Sequence, residues 1–334
     1  MRIALLKTGL WSLIALMTGA GIAMAEPALQ SLANYHRVIK SGRPAVTQSV
    51  LCSLGDLKER FEVTQAKIDR ICRSTRYMAP PEDHVAFAIG IQQGAEYQTR
   101  LQQLVQDVNV GYARWLTGRK GTTLFHRLQK VASLSAARPV VSYEEFKRYP
   151  GAMNALFKSY EILYSPTYLA RLSEDMGADS LWWNTAHEIG HLLSIRRSDF
   201  AIEPADLHLR MGAHSLKTCT PALLKITKEE MALDPLLQRE IEGDLLAVGA
   251  MGFALDDKAA PANWLAFIEG NVDTLCSSYY VKHDHAKMAP SQNYWHTGHP
   301  RQTFRINAIM ANNRIRANLG CQPFPREFTC HDWD

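Results

Sequence analysis

Apolar residues follow three rhythms along this 334-residue chain, and each rhythm predicts a different element. The first is an unbroken run. Arg2 and Lys7 precede a stretch from about Thr8 to Met24 without a charge, and Ala23-Met24-Ala25 closes it with a small-x-small site. A positive start, an apolar centre and small residues at the end mark a cleaved secretory signal, residues 1–25, with Glu26 as the expected mature start. An uncleaved anchor is the competing reading, because the run is just long enough to cross a bilayer. No other uncharged apolar run reaches that length, so no membrane span is expected after cleavage.

The second rhythm has a period near 3.6. Leu101, Leu104, Val105, Val108 and Tyr112 recur at helical spacing and predict a helix from about Glu96 to Leu116. Another helix is expected near Leu57 to Cys72, and a short one ends near Leu134. Ala79-Pro80-Pro81 separates them, since proline disfavours helix at the residue before it. Residues 26–134 therefore read as a mainly helical N-terminal region. The third rhythm is alternation. Tyr160, Ile162 and Tyr164 alternate with Ser159, Glu161 and Leu163, which predicts a strand within Met153–Tyr164, ended by Ser165-Pro166. It reads equally as a core strand and as a sheet edge that an extended peptide pairs with. A helix follows over Thr167–Met176. Gly177 stops it, and Asp179 or Ser180 caps the next, Leu181 to Ser194.

That next helix carries His187-Glu188-Ile189-Gly190-His191. Histidines at i and i+4 lie one turn apart on one face, so both imidazoles reach one ion. Imidazole suits zinc, and Glu188 between them is placed to act as base for a water at that ion. The bland alternative is an amphipathic helix with two surface histidines.

A catalytic zinc needs a third protein ligand and an open fourth position. A third histidine six residues after His191 is excluded, because that position is Arg197. The better candidate lies on a second helix, opened by Asp234-Pro235, in Arg239-Glu240-Ile241-Glu242-Gly243-Asp244. Glu240 and Asp244 share a face. Glu240 is placed to bind zinc and Asp244 to hold a ligand histidine from behind. Glu242 is rotated about 200° away from Glu240.

These two motifs together resemble the gluzincin clan. More closely, the chain is similar to the family of the CaaX prenyl protease and the HtpX heat-shock protease, which has soluble periplasmic members. The resemblance covers roughly residues 150–310. It extends to Met153-Asn154-Ala155-Leu156-Phe157 before the first motif and to His299-Pro300 followed by Arg305. It implies an α+β fold, with a zincin-like metallopeptidase domain over residues 135–334 behind the helical N-terminal region. It also brings His299 and Arg305 towards the catalytic site. Two readings of His299 stand open: an oxyanion stabiliser, or an inhibitory ligand that fills the open zinc position. A plain histidine-rich loop with His283, His285 and His296 is the bland alternative.

Charge and cysteines refine the picture. Formal net charge is +4, and removing the signal lowers it to +2, so nothing invites nucleic acid as a partner. Six cysteines in an exported chain read as disulfides. Nearness along the chain favours Cys52–Cys72, Cys321–Cys330 and Cys219–Cys276. None forms a Cys-x-x-Cys pair, which argues against a cysteine metal or redox site. The absence of an Asn-x-Ser/Thr sequon favours a bacterial origin. The expected protein is an exported, most readily periplasmic, zinc endopeptidase holding one Zn2+ and acting on a protein or peptide. The competing readings are a zincin-fold binding or chaperone-like protein with little proteolysis, and a zinc hydrolase of non-peptide amides.

Overall fold

The structure is a computed structural model, described here for residues 46–74, 83–117, 138–146, 155–158, 161–166, 169, 181–195, 235–256, 258–280, 295–296, 299–300 and 302–325. The signal segment, the helix ending near Leu134, the Thr167–Met176 helix apart from Leu169, its flanking cap, Asp234, Cys219, Cys330, His283 and His285 lie outside the described residues.

Nine helices and five short strands make up the described parts, an α+β arrangement. In chain order they are α1 (Gln48–Cys52), α2 (Phe61–Ser74), α3 (Asp83–Thr117), β1 (Arg138–Val141), α4 (Tyr143–Phe146), β2 (Ala155–Lys158) and β3 (Glu161–Tyr164). Then follow α5 (Trp182–Ile195), α6 (Pro235–Met251), α7 (Pro261–Tyr280), β4 (Trp295–His296), β5 (His299–Pro300), α8 (Gln302–Ala311) and α9 (Asn313–Asn318). Both α6 and α7 begin with proline, whose missing N–H costs nothing at a first helical position. No described helix is long and apolar enough to cross a membrane.

The alternating run expected as one strand is two. β2 and β3 pair antiparallel with Lys158 opposite Glu161, and β1 adds parallel to the other side of β3. The run is uniformly rich in strand formers and has no glycine or proline inside it, so nothing local marks the reversal. β3 is the central strand, with Ile162, Leu163 and Tyr164 buried. β2 is paired on one side only among the described residues, and it packs against α5.

One hydrophobic core runs from Val46 to Cys321 and joins α1, α2 and α3 to β3 and to α5 through α9. Trp115 of α3, Trp183 of α5 and Trp264 of α7 are fully buried in it. α3 packs against α5, α6 and β1, while α2 packs against α7 and α8.

The disulfides correct the expected pairing. Cys52 bonds Cys321, and Cys72 bonds Cys276, with Cα–Cα separations of 5.4 and 5.0 Å. Cys52–Cys72, Cys321–Cys330 and Cys219–Cys276 are therefore not the pairs. Nearness in sequence lowers loop-closure cost, but each doubling of loop length adds only about 0.6 kcal/mol. Packing decides instead. α9 ends in a reversal in which Gly320, at φ +73°, turns the chain back. The Cys321 N–H then reaches the Arg316 carbonyl and the Gly320 N–H the Ala317 carbonyl, the pattern of a helix stopped by a left-handed residue. This turn delivers Cys321 to Cys52.

Candidate metal centre

α5 and α6 make the most extensive helix pair among the described residues, and the site sits where they cross. The crossing is close because glycine faces glycine. A Cβ on Gly190 would come within 2.9 Å of the Gly243 carbonyl oxygen, and a Cβ on Gly243 within 3.1 Å of the His187 ring and 3.2 Å of the His191 ring. A side chain on Gly190 would push the helices apart, and one on Gly243 would press on both imidazole rings.

At this distance the two motifs meet. His187 Nε2 lies 3.1 Å from Glu240 Oε2, and His191 Nε2 lies 3.3 Å from Glu240 Oε1. The imidazole rings stand edge to face with centroids 4.3 Å apart. His187, His191 and Glu240 together can hold a metal ion, with one ligand atom from each lying within 4.8 Å of the others. Ligand atoms bound about 2.0–2.1 Å from a tetrahedral zinc are about 3.3 Å apart. Each nitrogen–oxygen spacing is close to that length, through a different oxygen of Glu240 in each case, and two imidazoles with one carboxylate form a donor set suited to zinc.

The surroundings fix the histidines. Asp244 is fully buried, and its Oδ1 lies 2.7 Å from His187 Nδ1. This leaves Nε2 as the atom that points at Glu240. The other oxygen of Asp244 accepts a hydrogen bond from Arg305 Nε at 3.0 Å. Arg305 is buried on α8, so its guanidinium stands behind Asp244 and steadies the carboxylate. Burial pushes the His187 imidazolium down. The charge and hydrogen bond of Asp244, with Glu240, outweigh burial and raise it to about 9. Burial acts on Glu240 in the opposite sense. Its bonds to His187 and His191 outweigh that and hold its carboxyl well below the usual carboxylate range. The site thus favours neutralising positive charge beside an ionised acid, which is also what a cation would do.

Glu188 sits on the same helix and is buried, at 7% exposure. His299 lies in β5, paired across the ladder with His296, and β5 packs against α6, the helix of Glu240.

Sequence reasoning missed several contributors. Gly190 and Gly243 stood inside the motifs, and an interior helical glycine, about 1 kcal/mol worse than alanine, is a signal that something comes close. Other groups hold α5 from outside. Asn271 of α7 accepts a hydrogen bond from the Trp183 N–H at 2.8 Å, capping the helix start. The Tyr112 hydroxyl donates to the Ala186 carbonyl at 2.8 Å, and Tyr164 bonds Thr185 at 2.6 Å. No local pattern marks these, because each partner comes from a distant element.

Comparison of the chain with protein-family models, curated proteins and solved structures finds no match.

Proposed function

We propose that this chain is an exported zinc-dependent endopeptidase of the zincin kind, in line with its resemblance to the CaaX prenyl protease and HtpX family. One observation carries the reading: one ligand atom each from His187, His191 and Glu240 lies within 4.8 Å of the others, with the Glu240 carboxylate 3.1 and 3.3 Å from the two histidine Nε2 atoms. His187, His191 and Glu240 are the metal ligands in this reading. When bound, zinc polarises a carbonyl and lowers the pKa of water to about 7.

The chain's own groups supply the rest. Asp244 holds the Nδ1 proton of His187, so that ring presents a lone pair from Nε2. Arg305 donates to the other oxygen of Asp244 and holds that carboxylate in place. Glu188 takes a proton from the attacking water and passes it to the leaving amine. His299 is a candidate either for stabilising the oxyanion or for blocking the open position. The substrate class is a protein or peptide. β2, beside α5, is the strand against which an extended segment would add. The apolar N-terminal run and the two disulfides support export, with the periplasm as the compartment.

The test is zinc analysis of the purified mature chain together with cleavage of a generic unfolded protein. Cleavage should vanish with a chelator and return with zinc. Glu188→Gln should keep its zinc and lose turnover by roughly 10²- to 10⁴-fold. A Glu188→Gln chain that cleaves as fast as the parent would remove Glu188 from the mechanism.

A further inference from the structure

Two of the residues that hold α5 differ from the others in where they act. Tyr164 ends the central strand β3, and Thr185 lies on α5 three residues before Glu188. Residues three apart share a helix face, so Thr185 is the neighbour of Glu188 one turn back. The Tyr164 and Thr185 hydroxyls meet at 2.6 Å, and both residues are fully buried. From the other side, the histidines are already held by Asp244, Glu240 and the Gly190–Gly243 contact. The strand side of α5 has its own fixed point in this hydroxyl pair.

We propose that Tyr164 and Thr185 are positioning residues for Glu188, forming a neutral hydroxyl clamp that sets the roll of α5 against the sheet. This rests on the peptidase reading above. A carboxylate about 6 Å from a helix axis moves about 1 Å for a 10° roll. A misplacement of that size costs on the order of 10² in rate. The clamp also suits its place beside an acid. Burial raises the Tyr164 phenol well above its ordinary value, the Thr185 bond acts against this, and the charge of Glu188 adds to the rise. The phenol therefore stays neutral beside Glu188.

The test deletes the clamp from either end. Tyr164→Phe keeps the ring, and Thr185→Val keeps the shape of the helix side. Each should lower kcat about 10- to 100-fold, with KM within about twofold of the parent and zinc content unchanged. The double variant should be no worse than either single one, because both remove the same bond. Thr185→Ser, which keeps the hydroxyl, should recover most of the rate. Unchanged kcat in both variants, or loss of zinc in step with kcat, would overturn the proposal. Crystals of the parent and of Tyr164→Phe decide the matter without turnover. A displaced or disordered Glu188 carboxylate in the variant supports the clamp, and a superimposable one sinks it. A parent that cleaves nothing refutes the peptidase reading and leaves this second measurement standing.

Discussion

The glycine contact between α5 and α6 can be tested by adding one carbon. In Gly243→Ala the new Cβ would lie 3.1 Å from His187 Cε1, 3.1 Å from His187 Nδ1 and 3.2 Å from His191 Cε1. Ordinary contacts of this kind are about 3.5–4.0 Å, so the rings or the helix must shift by roughly 0.3–0.5 Å. Ligand distances in a metal site tolerate about 0.2 Å. The strain therefore falls on the ion. We expect zinc affinity to drop about 10- to 100-fold, comparable to losing a group that supports a ligand. Stability of the metal-free chain should fall by no more than about 2 kcal/mol. Overpacking costs about 1–3 kcal/mol, and replacing an interior helical glycine with alanine returns about 1 kcal/mol. Competition against a chromophoric chelator measures the first quantity and thermal melting in excess chelator the second. Gly190→Ala is the harsher partner, because its Cβ meets backbone atoms of Gly243 at 2.9 and 3.0 Å that cannot rotate away. It should lose both zinc and metal-free stability. If Gly243→Ala binds zinc within twofold of the parent, the rings are not braced as described.

The third ligand can be ranked by zinc content after dialysis against a weak chelator. Glu240→Ala should lose zinc almost entirely, Asp244→Ala should lose part of it, and Glu242→Ala should match the parent; Glu242→Ala at the bottom would overturn the assignment. Peptide mapping without reduction should recover Cys52 joined to Cys321 and Cys72 joined to Cys276, and each bond removed should cost about 2–5 kcal/mol of stability. In the metal-free chain His187 is raised from 6.5 to about 9, so its ionised pairing with Asp244 stabilises fully below about pH 6.5 and is lost as pH rises towards 9. Melting temperature in chelator should fall across that window, and Asp244→Asn should flatten the fall; a parent curve already flat there would contradict the pairing.

What was legible in the sequence is what one helix can encode by itself. His187 and His191 one turn apart, and Glu240 and Asp244 one turn apart, are facts of spacing, and the structure brings those residues together. Periodicity also located α3, although that helix begins at Asp83 rather than near Glu96. The predicted strand concealed a hairpin, because Ser159-Tyr160 carries no strong turn signal. The disulfides were misread because distance along the chain says little about which helix faces meet. Arg305 was brought in by resemblance, while its bond to Asp244 spans 61 residues and needed the fold. The same holds for Asn271, whose partner Trp183 lies 88 residues away.

The two cross-links also constrain how the molecule comes to exist. A ribosome delivers the chain from its N-terminus, so Cys72 emerges as the first available partner for Cys52, only 20 residues behind it. That bond is the wrong one. Cys72 must wait 204 residues for Cys276, and Cys52 must wait 269 for Cys321. An oxidant that joins thiols in order of arrival would trap α1 against α2 before α7 and α9 had been made. Correct assembly therefore needs either a delay in oxidation until the last turn is formed or a catalyst that reshuffles bonds by thiolate exchange. Yield in a host that oxidises quickly but isomerises poorly should be limited by the early pair, and not by the stability of the finished protein.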